Sequence, residues 1–267
     1  MNNLRIGFIG CGNIAGTLIN AVISSKLFVP NEISCFDPDE TKTDGFASMG
    51  VIIHKNNPEL VSVSDIIVLA VKPQIIDAVL SQIGPFCAGR CIVTVAAGIS
   101  TDYIRSFTGA GTNILRVMPN TPMLLNKGSI AIARSPGMDS QLFESLCSIF
   151  GCCGHIEILD EAHLNDVIAV NGSSPAFFYR IVDVIAGYAD RHGIDRETAI
   201  RLAAKSMEGS AAMILESSKS PAQLIRDVSS PGGTTLAALS KMDELDFDGI
   251  LTVALEACGR RANELGK

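Results

Sequence analysis

This chain of 267 residues contains no tryptophan, only three tyrosines and four histidines, and 18% charged residues. Its 21 lysines and arginines are outnumbered by 28 aspartates and glutamates, and no cluster of positive charge stands out. A nucleic-acid partner would require a basic surface, so we expect none. No apolar run approaches the roughly 18–20 residues that cross a bilayer, and the N-terminus lacks the layout of a cleavable signal. We therefore expect a cytoplasmic protein without a membrane partner.

The eight cysteines do not form a pattern that carries chemistry. Disulfide frameworks are typical of short secreted chains, whereas Cys35 and Cys91 lie in apolar runs, where a free thiol packs as a small hydrophobe. The only cluster that resembles a metal site is Cys152, Cys153 and His155. Its spacing matches no common zinc pattern and no second ligand pair follows, so no metal is expected.

Hydrophobic residues make up 47% of the chain, enough to bury a sizeable core. In the first part of the chain, short runs that are nearly all apolar alternate with helix-like segments, as is typical of parallel strands buried on both faces. The predicted strands are Leu4–Ile9, Ile33–Phe36, Ile66–Ala70, Cys91–Ala96 and Asn113–Val117, with edge strands at Ser129–Ala133 and His155–Leu159. The predicted helices between them are Asn13–Ser25, Ile75–Ile83, Thr101–Phe107 and Ser140–Phe150. This alternation predicts an α/β, doubly wound, Rossmann-like sheet.

After Leu159 the strand pattern ends and helical periodicity with many alanines takes over. The predicted helices are Pro175–Arg191, Asp195–Glu216 and Phe247–Leu265. Asp195 followed by Thr198 indicates a helix start, and Ser220-Pro221 indicates a break and restart. We predict an α/β domain over residues 1–160 and an all-α domain over residues 161–267.

A glycine motif follows the first predicted strand and opens the first predicted helix. It reads Gly10-Cys11-Gly12-Asn13-Ile14-Ala15, a G-x-G-x-x-A form of the dinucleotide-binding fingerprint. The first glycine makes a tight turn, the second lets the backbone approach a pyrophosphate, and the alanine keeps helix and strand close. The position of the motif within a βαβ pattern predicts nucleotide binding, against the alternative of a merely tight turn.

Asp37 ends the second predicted strand, where Rossmann folds often hold the adenosine ribose. A carboxylate there accepts hydrogen bonds from a 2′-hydroxyl and repels a 2′-phosphate, which favours NADH over NADPH. In the alternative interpretation, Asp37-Pro38-Asp39 starts a turn and caps the next helix. The sequence leaves both open.

Three further strand ends carry residues suited to a ligand site. Ala70-Val71-Lys72-Pro73 places a cation before a rigid turn, and Ala96-Ala97-Gly98 leaves room for a flat ring. Met118-Pro119-Asn120-Thr121-Pro122 brackets an amide and a hydroxyl with prolines, and we take Asn120 as a cofactor contact. Packing alone does not explain three successive strand ends of this kind.

A second glycine motif, Ser229-Ser230-Pro231-Gly232-Gly233-Thr234-Thr235, leads into a helix of the all-α part. Consecutive backbone N–H groups followed by a helix N-terminus form a natural carboxylate-binding site. The alternative is an ordinary capped turn between helices.

These motifs together resemble pyrroline-5-carboxylate reductases in order and spacing, from about residue 4 to 262. The resemblance implies NADPH or NADH as reductant, hydride transfer to the C=N bond of 1-pyrroline-5-carboxylate giving L-proline, and a helical domain that pairs with a second subunit. It places cofactor contacts on Ile9, Gly10, Cys11, Gly12, Asn13, Ile14, Asp37, Asn57, Ala70, Val71, Lys72, Pro73, Ala96 and Ala97. It places substrate contacts on Glu161, Gly232, Gly233, Thr234 and Thr235, with Thr235 as the catalytic residue.

Two positions depart from the family pattern. The family carries small polar residues where this chain has Asp37, and its Ser-Gly-Ser-Gly-Pro-Ala string reads Asn171-Gly172-Ser173-Ser174-Pro175-Ala176 here. Ser174 in place of glycine is expected to crowd the backbone near the active site. Two other functions remain open: a β-hydroxyacid dehydrogenase and a non-catalytic dinucleotide sensor. The first requires a lysine on the helix after Gly172, and none occurs through Asp190.

A protonated cyclic imine is already an electrophile, so the chemistry demands positioning more than acid–base catalysis. We expect the Gly232-Gly233 amides to hold the substrate carboxylate and Thr235 to orient the ring nitrogen. The four histidines fit no motif. The apolar stretches Leu202–Leu215 and Ile250–Ala257 predict a homodimer through the helical domain, with a larger ring as an extension of it.

Overall fold

The computed structural model describes residues 4–266, and within them eight strands form one sheet. Their order is β3-β2-β1-β4-β5-β6-β7-β8. The pair β6–β7 is antiparallel and the other neighbouring pairs are parallel. The strands are β1 (Ile6–Ile9), β2 (Ile33–Phe36), β3 (Ile52–Ile53), β4 (Ile66–Leu69), β5 (Cys91–Thr94), β6 (Asn113–Met118), β7 (Gly128–Arg134) and β8 (Gly154–Ile158).

The first six strands follow the 3-2-1-4-5-6 order of a Rossmann fold, so the predicted fold class is confirmed. The helices around and after the sheet are α1 (Asn13–Ser24), α2 (Asp44–Ser48), α3 (Asn57–Val63), α4 (Ile76–Ile83), α5 (Thr101–Thr108), α6 (Ser140–Gly151), α7 (Ser174–Arg191), α8 (Arg196–Glu216), α9 (Pro221–Asp227), α10 (Thr234–Glu244) and α11 (Phe247–Glu264). No helix within residues 4–266 is both long enough and apolar enough to cross a membrane.

The sheet is buried on both faces, because successive residues of a strand point to opposite sides. In β4, Ile66 and Val68 join one hydrophobic cluster, which includes side chains of α1 and α6. Ile67 and Leu69 join the other, which includes side chains of α3, α4 and α5. This two-sided burial explains why the central strands are mostly apolar.

Several local predictions hold to within one or two residues, and their caps are as expected. The Asp195 carboxylate accepts from the Thr198 N–H at 2.9 Å and begins α8. Ser220 begins α9 with a reciprocal capping box that includes Gln223. The sequence did not predict α2, α3 or the strand β3, whose two isoleucines are exposed. The prediction of β7 as an edge strand is wrong, because β8 lies outside it.

The described chain divides into two compact units. The first comprises residues up to Ser173 and those from Cys258 onward, and the second comprises Ser174–Ala257. The segment 161–173, which we predicted to belong with the helical domain, packs with the sheet. The division of roles between residues 1–160 and 161–267 stays a prediction.

Candidate active site

The glycine loop after β1 has the backbone that its sequence predicts. Gly10 has φ +88°, and a Cβ at this position would lie 2.8 Å from the Ala70 carbonyl oxygen, so only glycine fits. At Gly12 an added Cβ would meet nothing within 4 Å, which leaves open space in front of the loop. Gly12 caps α1 without a side-chain hydrogen bond, so the first-turn N–H groups of α1 face that space and suit a phosphate.

Asp37 forms the turn that the second interpretation predicted, and it also binds the backbone of the glycine loop. Its buried carboxylate accepts from the backbone N–H of Asp39 at 3.0 Å and from that of Cys11 at 2.9 Å. It also accepts from Lys42 Nζ at 3.2 Å, and this hydrogen bond raises the pKa of Lys42 above its ordinary value. The ribose contact of Asp37 stays a prediction, and the neighbouring Lys42 supplies a cation where the sequence suggested only an anion.

Asn57 lies beside Asp37 in the topology, because β2 and β3 are parallel neighbours and Asn57 begins the helix that follows β3. Its Nδ2 donates to Gln82 Oε1 at 2.8 Å, while its buried Oδ1 has no hydrogen-bond partner in the described chain. A buried acceptor without a donor costs about 1–3 kcal/mol. Because the oxygen is buried, the cofactor contact of Asn57 stays a prediction.

The remaining predicted cofactor residues follow β1, β4 and β5 on the carboxyl edge of the sheet. Strands β2 and β3 lie on one side of β1, and the strands from β4 onward lie on the other side. The strand order therefore reverses between β1 and β4, and this architecture binds ligands in the crevice at such a switch point. Pro73 starts a short 3-10 turn directly after Lys72, and Ala96 is buried with its N–H donating to Thr94 Oγ1. The topology thus brings Ile9–Ile14, Ala70–Pro73 and Ala96–Ala97 to one edge.

The Asn120 side chain is engaged within the protein. Its Oδ1 accepts from the Ser129 N–H at 2.9 Å and its Nδ2 donates to the Asn171 carbonyl at 3.1 Å. Asn171, in the π-helical turn Ile168–Gly172, donates to the Met118 and Ser129 carbonyls. These bonds require an amide with two protons, which explains why asparagine replaces the family's serine. A cofactor contact of Asn120 would therefore involve its backbone.

Ser174 is the first residue of α7 and half-buried. The non-glycine residues with positive φ in the described chain are Lys26, Asn126 and Asp246, so Ser174 has an ordinary backbone. The backbone at this position does not require the family's glycine, and the expected crowding does not arise from strain there.

Glu161 is bound by residues of the sheet domain. Its Oε1 accepts from the Thr101 N–H at 2.7 Å and from Arg116 Nη1 at 3.1 Å, and its Oε2 accepts from Thr101 Oγ1 at 2.6 Å. Burial opposes the charged form, but the bonds from Thr101 and Arg116 outweigh it and lower the pKa of Glu161. Three of roughly four acceptor positions are occupied, so little remains for the predicted substrate contact.

Arg116 and Thr101 were not predicted as part of the site. Arg116 lies in the middle of β6 and is 5% exposed. A single charged residue inside an apolar strand signals a buried ion pair, because burying a charge alone is too costly. That signal was present in the sequence, but it does not identify the partner. No group of three or more metal-ligating side chains occurs among residues 4–266.

The second glycine motif lies in the second unit and ends at α10. Gly232 has φ +70°, and Gly233 caps α10 without a side-chain hydrogen bond. The Gly233 N–H donates to the Ser230 carbonyl at 2.9 Å and so closes a turn. We predicted that this N–H binds the substrate carboxylate, but it is already engaged. The first-turn amides of α10, at Thr234 and Thr235, take its place as donors. The predicted cofactor residues and Glu161 lie in the first unit.

Comparison with known proteins identifies the family. The chain is 32% identical to the pyrroline-5-carboxylate reductase of Escherichia coli (strain K12), over 98% of both chains. The chain belongs to the pyrroline-5-carboxylate reductase family. A crystal structure of the Plasmodium falciparum family member with NADP bound matches all of both chains with a TM-score of 0.92 at 26% identity. The structure of a pyrroline-5-carboxylate reductase from Coxiella burnetii also matches all of both chains, with a TM-score of 0.91 at 30% identity.

Two domain models match this family member. Residues 161–265 match the model described as pyrroline-5-carboxylate reductase dimerisation. Residues 5–98 match the model described as NADP oxidoreductase, coenzyme F420-dependent. The resemblance inferred from the motifs is confirmed, and the chain carries a domain that the family uses for association.

Proposed function

We propose that this protein reduces the C=N bond of 1-pyrroline-5-carboxylate to L-proline with NADPH or NADH. The observation that supports it is the occurrence, in one chain of this family, of two helices whose N-termini follow glycine loops and lack side-chain caps. The N-terminus of α1 suits the pyrophosphate of a dinucleotide, and that of α10 suits a carboxylate.

The residues around the first loop fit a dinucleotide. In this proposal the loop Ile9–Ile14 holds the pyrophosphate, Asp37 and Asn57 hold the adenosine ribose, and Ala70–Pro73 and Ala96–Ala97 line the nicotinamide position. When bound, the reduced nicotinamide supplies the hydride. The chain's own part is to hold the ring of the substrate at contact distance, which can supply several kcal/mol of barrier reduction.

The substrate residues in this proposal are Gly232, Thr234 and Thr235. The first-turn amides of α10 bind the carboxylate, and Gly233 shapes the loop through its bond to Ser230. Thr235, which is half-buried, accepts a hydrogen bond from the protonated ring nitrogen. A threonine hydroxyl is a weak acid, so its part is to orient the imine, whose proton is already in place.

We also propose a homodimer formed through the second unit. Its buried apolar cluster consists of three alanines, Ala186, Ala189 and Ala199. Large side chains are exposed instead, with Leu215 at 83% and Ile250 at 64%, and each would gain about 1.5–3 kcal/mol on full burial. Stacking of dimers into a ring is an extension of the proposal. An active monomer in light scattering at micromolar concentration would contradict the proposed homodimer.

The cytosol is the proposed location. All eight cysteines are free, and burial raises the pKa of Cys87 and Cys153 to about 11, so these thiols stay protonated and inert. Unpaired buried thiols suit a reducing compartment.

The experiment that tests the function is a kinetic assay of the purified protein. NADPH or NADH is mixed with pyrroline-5-carboxylate, absorbance at 340 nm is followed, and proline is measured as the product. Parallel assays use a β-hydroxyacid in place of the imine and the oxidised cofactor in place of the reduced one. Turnover of the hydroxyacid would indicate the dehydrogenase instead, and cofactor binding without turnover of either substrate would indicate a sensor.

A further inference from the structure

The loop between β5 and α5 contacts the C-terminal end of the chain. Gly98 in this loop has φ +79°, and a Cβ there would lie 2.9 Å from the Gly266 nitrogen and 3.0 Å from its Cα. From the other side, a Cβ at Gly266 would lie 3.3 Å from the Gly98 carbonyl oxygen. Two stretches of backbone therefore meet at a distance that leaves no room for a side chain at Gly98.

A chain of polar side chains leads from the same C-terminal turn back to the same loop. Asn263 Oδ1 accepts from Asn165 Nδ2 at 2.9 Å, and Asn165 Oδ1 accepts from Arg116 Nη2 at 3.0 Å. Arg116 Nη1 donates to Glu161, whose carboxylate accepts both the N–H and the hydroxyl of Thr101. All five residues belong to the first unit. The buried guanidinium thus joins the end of α11 to the start of α5.

The two contacts hold the second half of the loop, and β5, which ends at Thr94, holds its start. Thr101 is the first residue of α5, and Gly98 lies three positions before it. Between β5 and Gly98 lie Ala96 and Ala97, which the proposed function places at the nicotinamide. A backbone pinned on both sides keeps this surface from moving, and a misplacement of about 1 Å between reacting groups can cost 10²-fold in rate.

We propose that Glu161, Arg116 and the C-terminal turn Asn263–Gly266 are positioning residues that fix the Ala96–Gly98 loop against the nicotinamide ring. This inference rests on the proposed function. It gives Glu161 a different part from the substrate contact that the family resemblance implied. Glu161 acts through Thr101, and the C-terminal turn acts through Gly98.

The first test compares two glycines with left-handed backbone. Gly98→Ala introduces a Cβ against Gly266, whereas Gly89→Ala introduces one at φ +73° with nothing within 4 Å. Both substitutions carry the backbone cost of an L-residue at positive φ, so their difference isolates the contact. We expect Gly98→Ala to lower kcat at least tenfold and to weaken NADPH binding, with unchanged affinity for 2′,5′-ADP, which lacks the nicotinamide. Gly89→Ala should match the wild type, and equal kcat in both variants would overturn the inference.

The second test asks which ligand Glu161 serves. If it positions the loop, Glu161→Gln and Thr101→Val both weaken NADPH binding relative to 2′,5′-ADP, and the double variant is no worse than the worse single one. Thr101→Ser, which keeps the hydroxyl, should restore the affinity. A raised KM for pyrroline-5-carboxylate in Glu161→Gln, with NADPH affinity unchanged and additive effects, would overturn the inference.

The binding measurements also separate this inference from the proposed function. If the wild type binds NADPH but does not reduce the imine, the proposed function fails, while the ratio of NADPH to 2′,5′-ADP affinity still tests the loop. Because Arg116 is buried, its own substitution would threaten folding, so both tests use its neighbours. Unfolding midpoints of all variants provide the control for stability.

Discussion

The substitution Gly233→Val tests the proposed carboxylate site most directly. Gly233 has φ −80°, which valine adopts, so the effect does not come from backbone strain. An added Cβ would lie 2.5 Å from Ser230 Oγ and 3.0 Å from the Ser230 carbonyl oxygen. The hydroxyl can rotate away, but the carbonyl is held by its bond from the Gly233 N–H. The turn must give way by a few tenths of an ångström, and the N-terminus of α10 follows it directly in the chain.

The magnitude follows from the bonds that the displaced amides would lose. A hydrogen bond to a charged group contributes about 1.5–3 kcal/mol, so losing one or two costs roughly 1.5–6 kcal/mol. At 1.36 kcal/mol per factor of ten, kcat/KM should fall about 13- to 26,000-fold. The affinity for NADPH should stay within about twofold, because the dinucleotide loop lies in the other unit.

Steady-state kinetics with varied pyrroline-5-carboxylate, together with NADPH binding by fluorescence, measures both effects. The matched control is Gly233→Val combined with Ser230→Ala. If the carbonyl is the obstacle, removing the hydroxyl does not restore activity, and Ser230→Ala alone is close to wild type in folding. Full kcat/KM in Gly233→Val would show that this loop does not approach the substrate.

Three further outcomes are expected. Thr235→Ala should lose roughly 1–3 kcal/mol of transition-state stabilisation in kcat/KM while its unfolding curve changes little, and full activity would make Thr235 only a helix residue. NADH should serve at least as well as NADPH if the Asp37 carboxylate repels a 2′-phosphate more strongly than its partner Lys42 attracts one. Asp37→Ser should then shift the ratio of kcat/KM towards NADPH by about 1–2 kcal/mol, and a tenfold NADPH preference of the wild type would refute the premise. The folded-state pKa of Glu161 lies below its ordinary 4.5, so its stabilising contribution is present above pH 4.5 and is lost as the pH falls towards the folded pKa. Urea unfolding of wild type and Glu161→Gln at pH 7 and at pH 4 should therefore show a difference in free energy that shrinks at the lower pH, and an unchanged difference would contradict this.

Features that depend on local pattern were predicted from the sequence. β2 was predicted to the residue, because a run buried on both faces is mostly apolar and ends at a polar turn. The switch of period after Leu159 correctly predicted α7 and α8. The loop at Gly10 was predicted because its backbone needs a residue without Cβ, and that requirement is visible in a single position.

Features that depend on distant partners were not predicted. Arg116 and Glu161 are 45 positions apart, and nothing local indicates that they pair. Asp37 satisfies both a local turn and the distant Cys11 amide, whereas the sequence analysis considered only the turn and a ribose contact. β3 was missed because two exposed isoleucines give no alternation, and its existence follows from pairing with β2.

The return of the chain's last turn to the first unit has a consequence for biosynthesis. Ribosomes add about 5–20 residues per second, and the 84 residues of Ser174–Ala257 separate the two parts of that unit. The sheet can therefore assemble on the nascent chain about 4–17 seconds before the segment from Cys258 onward exists. Until that segment leaves the ribosome, Gly98 in the loop after β5 lacks its contact with the backbone of Gly266. A nascent sheet domain is thus complete in topology while the turn Asn263–Gly266, which packs against its Gly98 loop, is still untranslated.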